Sequence, residues 1–336
     1  MTSPRLILLY QMKKVTEKWK KRSRIIAKKN LIRKRKKRGL IKATKLSRIF
    51  KRVIAPSVFS ILNDHQHFLE FCGRIENNVN KGYSVFLDLS VVSEITLDAI
   101  LYLLSLLEFF GTKRVAPSIQ GNEPREEKCR MIFRDSGFYK FVKLVRGDPP
   151  RMNDDIFSIQ SGERTQGAVV LKVVEFVASK MNGPKRSTEG IYETLVELMN
   201  NTNEHAYLSD SPLPKWWTAA YYNADIRKIS FAFLDNGQGI PTTVRKNFAE
   251  IVLKYLIRSD ADLIRSALEG KFKRSRTKQK NRGKGLPQIY EISNRKKIDN
   301  LKIVSNRGFI SAVHFSQHIS IKEGFRGTLF SWDFQL

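Results

Sequence analysis

The sequence predicts a mixed chain of the α/β (α+β) class, and three observations carry that expectation. Strand-length apolar runs such as Tyr83–Leu89 alternate with helix-length patterns such as Leu97–Phe110. Hydrophobic side chains make up 41% of 336 residues, enough to bury more than one core. The charge is uneven: residues 1–52 hold 21 Lys or Arg against the single acid Glu17, whereas the remainder holds 40 basic and 31 acidic side chains. The expected organisation is a basic helical arm (1–55), an α/β unit (56–147), a linker (148–165) and a second α/β unit (166–336).

The arm comes first. Over residues 13–52, Trp19, Ile25, Ile26, Leu31, Ile32, Leu40, Ile41, Leu46, Ile49 and Phe50 are scattered among lysines and arginines without a proline, which predicts helix, with Gly39 as a break. Such a segment attracts polyanions, and nucleic acid is the expected partner of residues 13–52. An acidic protein surface or an anionic lipid surface would serve the same charge.

In the next unit, Tyr83–Leu89 reads as a strand and Leu97–Phe110 as a helix ended by Gly111. A short strand near Val115 and a helix over Glu126–Ser136 complete a β-α-β-α rhythm. The polar stretch 146–165, with Gly147, Pro149, Pro150 and Gly162, suits a connector or an exposed hairpin. Beyond it, helices are expected at Ala168–Met181, Thr188–Ala206 and Pro287–Ser293. Strands are expected at Trp216–Tyr222, Ile229–Leu234, Leu301–Val304, Ala312–Phe315 and Leu329–Phe334.

Composition excludes several classes. Cys72 and Cys129 form no CxxC pair, which fits reduced thiols in a cytoplasmic protein. No apolar stretch reaches the roughly 20 residues of a membrane helix. Leu6–Tyr10 is too short for a signal-peptide core and is followed by lysines.

Four short motifs carry the chemistry. Glu197, Asn201 and His205 are four residues apart and share one helix face, where an amide oxygen can hold a divalent cation beside a carboxylate base. The apolar run ending in Asp235 is followed by Gly237 and Gly239, where backbone can approach a ligand and a carboxylate can accept from an exocyclic amine. Gly283-Lys284-Gly285-Leu286 precedes a helix, whose free N–H groups suit phosphate. Gly327-Thr328 precedes the last strand. Each motif alone is equally served by a structural role: a solvated helix face, a Gly-rich turn or a helix-entry loop.

Together, and in this order, the motifs resemble the N, G1, G2 and G3 boxes of the GHKL ATP-binding family, over about residues 166–336. The resemblance implies a Bergerat-fold α/β sandwich that binds ATP with Mg²⁺ under a mobile lid. It implies Asn201 as the Mg²⁺ ligand, Glu197 as general base and Asp235 as the adenine reader. Gly237 and Gly239 would shape the pocket, Gly283, Lys284, Gly285 and Leu286 would wrap the phosphates, and Thr328 would support the adenine side. The segment between Ile240 and Gly283 would be the lid, and its end, Lys271–Lys284, carries eight basic residues and no acid. Pro287 stands where histidine kinases usually carry another glycine.

Val85-Phe86-Leu87-Asp88-Leu89-Ser90, the helix after it, Asn122-Glu123-Pro124 and Ser136-Gly137-Phe138 resemble a STAS domain over about residues 58–145. At the position of a phosphorylatable serine stands Ile95-Thr96-Leu97-Asp98, so Asp98 reads instead as a helix cap or first-turn acid. His65 and His67 lack the surroundings of a phosphoacceptor. The expected activity is therefore a nucleotide-dependent switch toward a regulatory protein partner, with ATP hydrolysis or Ser/Thr phosphotransfer. A nucleic-acid-associated ATPase clamp is the alternative, and a homodimer remains open.

Overall fold

The computed structural model describes residues 25–26, 28–30, 33–34, 49–111, 117–140, 153–182, 186–205, 214–254, 256–257, 259–272, 285–312 and 318–336. Of the basic arm, 25–26, 28–30 and 33–34 are helical, and the remainder up to residue 48 lies outside the described residues. So do the strand expected near Val115, the end of the one expected at Ala312–Phe315, and residues 273–284 with Gly283 and Lys284. No described helix is long and apolar enough to cross a membrane.

The chain is a mixed α/β structure with parallel and antiparallel sheets. Its first part runs β1 (Phe50–Ile54), β2 (Val58–Phe59), α1 (His65–Asn80), β3 (Ser84–Asp88), β4 (Glu94–Ile95), α2 (Leu97–Gly111), β5 (Ile119–Gly121) and α3 (Glu127–Asp135). β1, β3 and β5 form a parallel sheet in the order β1-β3-β5, and β2 pairs in parallel with β4. The end of the basic pattern is thus a strand and not a helix. Phe50–Ile54 takes its hydrogen bonds from Ser84–Asp88, buries Val53, and ends just before Pro56, whose neighbour is biased toward extended backbone. Helix α1 went unread in the sequence; Asp64 caps it by accepting from the His67 N–H, and Phe68, Phe71, Cys72 and Ile75 are its buried stripe.

Two carboxylates lock this unit. Asp88 accepts from Asn122 Nδ2 at 2.7 Å, from the Ser90 N–H at 3.1 Å and from Arg52, which hold it well below the usual carboxylate range. Asp98 stands in the first turn of α2, as expected, and also reaches beyond its own helix. It accepts from the Ile61 N–H at 2.7 Å and the Leu62 N–H at 3.3 Å, tying the start of α2 to the turn before α1. Burial pushes its pKa up.

The second part runs β6 (Ile156–Gly162), α4 (Gly167–Lys180), α5 (Glu189–His205), β7 (Trp216–Asn223), β8 (Lys228–Asp235), α6 (Ile240–Asn247), α7 (Ala249–Lys254), α8 (Asp260–Leu268), α9 (Gly285–Asn294), β9 (Asp299–Ser311) and β10 (His318–Gln335). The strands form one antiparallel sheet ordered β6-β7-β8-β10-β9. The expected connector therefore contributes an edge strand, β6. Its Ile156, Ile159 and Gly162 are buried, and its Pro and Gly residues kept that pattern from standing out.

The sheet is covered on both faces. Val170, Val173, Ile191, Leu195, Ile264 and Ile289, from α4, α5, α8 and α9, pack on one face with Phe231, Phe233 and Trp332. The other face carries Trp217, Ala219, Leu234, Val304, Phe325 and Leu329, and these belong to one continuous core with Phe68, Leu103 and Leu106 of α1 and α2. Helix α2 lies against β7 and β8, and α1 against β10. This explains why α2 is apolar all round: residues Leu97–Leu104, with Leu106 and Phe110, are buried. Polar contacts pin the same junction. Tyr102 stacks on Phe325 with centroids 4.4 Å apart, Lys215 Nζ meets Glu108 Oε2 at 2.6 Å, and Arg326 pairs with Glu76 and lies over Phe109.

Candidate functional site

A cleft opens at one end of the five-stranded sheet, between α5, α9 and the segment after β8. Asn201, Asp235, Gly237, Gly239, Gly285, Leu286 and Thr328, far apart in the chain, all line it. Ile240, Val244, Phe248, Ala267, Phe272 and Phe330 supply an apolar wall.

Asp235 ends β8 and Thr328 faces it on β10, so sheet register brings them together. The half-buried carboxylate accepts from the Gly237 N–H at 2.7 Å and from Thr328. Burial pushes its pKa up to about 6, and the donors from Gly237 and Thr328 oppose the shift only partly. Gly327, at φ +80°, is required here, because a Cβ would stand 1.8 Å from the Asp235 carbonyl oxygen.

The raised Asp235 pKa has a consequence for stability that needs no ligand. Between the unfolded value of 3.8 and about 6, the folded chain holds a proton that the unfolded chain has lost. Stability from this group therefore falls as pH rises through that window. Asp235→Asn is expected to remove that slope. Urea denaturation at pH 4, 5, 6 and 7 checks it, read as the difference between wild type and variant; a difference constant across the series contradicts the raised pKa.

Asn201 and Glu197 lie one turn apart on α5, half-buried, and both face the start of α9. A Cβ at Gly285 would stand 2.8 Å from Asn201 Oδ1 and 2.8 Å from Glu197 Oε2, so any larger residue would push the ends of both side chains aside. Asn201 Nδ2 is buried, with no hydrogen-bond partner among the described residues. Which end of the amide points inward is an assignment, so one amide atom is left over for a ligand in either orientation. An oxygen-bearing side chain with spare capacity, a carboxylate beside it and room at a helix N-terminus together fit a divalent cation carrying phosphate oxygens. The side chain of His205 lies outside the described residues.

The described part of the expected lid forms α6, α7 and α8, with a small core of Val244, Leu263, Ala267 and Phe272, while 273–284 of its basic end lie outside the described residues. Its apolar contributions to the cleft, Val244, Phe248 and Phe272, were not singled out by the sequence, since isolated apolar residues between polar ones read as ordinary core. Ser305 and Asn306 of β9 were missed too. They hold the Asp235–Ile240 loop from behind, and the motif spacing carries no trace of them.

No protein-family model matches the chain, and no curated protein is found similar to it.

Proposed function

We propose that the cleft is an ATP·Mg²⁺ site of the GHKL type, in a Bergerat-like sandwich joined to a STAS-like unit. We further propose that the chain works as a nucleotide-dependent switch which hydrolyses ATP or passes its phosphoryl group to a Ser or Thr of a regulatory protein. One observation carries this reading: residues from four separated motifs meet in a single cleft with one polar end and one apolar wall.

Each end suits one part of the nucleotide. Asp235 accepts from the exocyclic amine of adenine, held in place by Thr328 and Gly237, while Val244, Phe248 and Phe330 exclude water from the base. At the other end, Asn201 would hold Mg²⁺, and the N–H groups of the first turn of α9 would face phosphate oxygens. Magnesium would supply charge to the triphosphate oxygens. Glu197, beside Asn201, would take the proton from the attacking water or hydroxyl.

Isothermal calorimetry of the intact chain tests the reading. Wild type is expected to bind ATP with Mg²⁺ and to lose that binding in EDTA. Asp235→Asn is expected to weaken ATP by about 10- to 100-fold, because the amine loses its buried acceptor. Absence of any heat from adenine nucleotides with the wild-type chain would falsify the proposal.

A further inference from the structure

Resting on the nucleotide reading above, we infer that Asn306, supported by Ser305, is the positioning residue that sets the base specificity of the cleft. Neither side chain lines it. Both act through the loop that does.

The two residues sit where β9 is irregular. Pairing of β9 with β10 shifts register on both sides of the Asn306–Phe325 pair, and Asn306 takes φ +51°. Irregularities of this kind re-aim a side chain out of the pleat, and asparagine tolerates positive φ better than most residues. The re-aimed amide reaches the loop after Asp235. Its Nδ2 donates to the Gln238 carbonyl oxygen at 3.0 Å. Its Oδ1 accepts from the Thr242 N–H at 3.2 Å and from Thr242 Oγ1 at 3.1 Å. One side chain thus clamps both ends of the turn that enters α6.

Gly239 shows how closely the clamp fits. It takes φ +87°, and a Cβ there would stand 2.5 Å from Asn306 Oδ1 and 2.8 Å from Asn306 Cγ. The space beside this glycine is thus filled by the Asn306 amide.

Ser305 completes the arrangement by its proton. The hydroxyl accepts from the Ile240 N–H at 2.9 Å, lies 3.2 Å from the Gly327 carbonyl oxygen, and lies 3.2 Å from Thr328 Oγ1. A serine has one proton to give. Given to Thr328 Oγ1, it leaves the Thr328 proton for Asp235, the carboxylate whose direction decides which base edge is accepted. Adjacent residues of β9 therefore fix the loop from Gln238 to Thr242 and the orientation of Thr328. The phosphate end, built from α5 and α9, makes none of these contacts.

The inference separates two effects that a general loss of stability would merge. Asn306→Gly keeps the positive φ available and removes only the clamp. In the intact, nucleotide-free chain, amide hydrogen exchange over residues 238–243 is expected to quicken at least tenfold in this variant. Calorimetry is expected to show ATP weakened about tenfold, with discrimination against GTP reduced, while inorganic triphosphate with Mg²⁺ binds as in wild type. Asn306→Asp retains the acceptor for Thr242 and should recover part of the loss. Unchanged exchange over 238–243 overturns the inference, and so does an equal loss for ATP and inorganic triphosphate. Because exchange is measured on the empty chain, it decides the clamp even if wild type ignores ATP. That last result would remove the nucleotide reading, and the specificity role with it.

Discussion

Replacing Glu197 by glutamine is expected to lower nucleotide turnover or phosphotransfer by about 10²- to 10⁴-fold while leaving ATP affinity within about threefold. The isostere keeps the volume beside Gly285 and a polar group one turn from Asn201, so the cleft and its metal-binding end retain their shape. What disappears is the ability to take up a proton. A general base acts only as the reacting oxygen loses its proton, so its removal appears in the chemical step and not in ground-state binding. Calorimetry for ATP and release of labelled phosphate, measured on the same preparation, give both halves. Turnover equal to the parent would remove Glu197 from this role; a parallel loss of affinity would make it a structural support of Asn201.

The parts of this cleft legible in the sequence are those governed by short-range periodicity. Glu197 and Asn201 lie on one helix face because four residues make about one turn. Asp235 followed by two spaced glycines reads as a strand running into a tight loop. Thr328 could be placed only ahead of the last strand, whereas register with β8 puts it within β10, opposite Asp235. Asn306 was illegible, since its role rests on a bulge and a positive φ that no local pattern announces. The mixed α/β class, helices α2 to α5 and α9, and strands β3 and β7 to β10 were readable from apolar spacing, whereas α1 and the short helices α6 to α8 were not. β1 was hidden because four of its five residues are exposed and three of those lie in or beside the basic run. β6 was hidden by the polar, Pro- and Gly-containing stretch around it.

Removing residues 1–140 is expected to leave a C-terminal fragment that does not fold cooperatively. In the intact chain, Trp217, Leu234, Val304, Phe325 and Leu329 point away from the helices of their own unit and into a core completed by α1 and α2. Exposing a large apolar side chain costs about 1.5–3 kcal/mol, so these five amount to on the order of 10 kcal/mol. That equals the whole stability of a typical domain, about 5–15 kcal/mol. The truncation also strips Lys215 and Arg326 of their partners Glu108 and Glu76. The intact chain should melt in one calorimetric transition, and the fragment should bind a hydrophobic dye strongly and show no sharp transition. A fragment with dispersed amide resonances and its own cooperative melt would show that the shared core is dispensable.

The strand order sets a schedule for the ribosome. A nascent chain emerges from its N-terminal end, and domains generally begin to fold as they emerge. Here α1 and α2 emerge early, yet the strands they cover come later, and β10, which lies between β8 and β9, comes last of all. Until it arrives, β8 has an open edge and α1 lacks the strand it packs against. Vectorial synthesis therefore leaves the apolar flank of the first unit waiting through most of the translation of the second. During that interval the half-made chain presents the kind of sticky surface that chaperones shelter, and slow codons between the two units would lengthen the exposure instead of helping an early unit to finish.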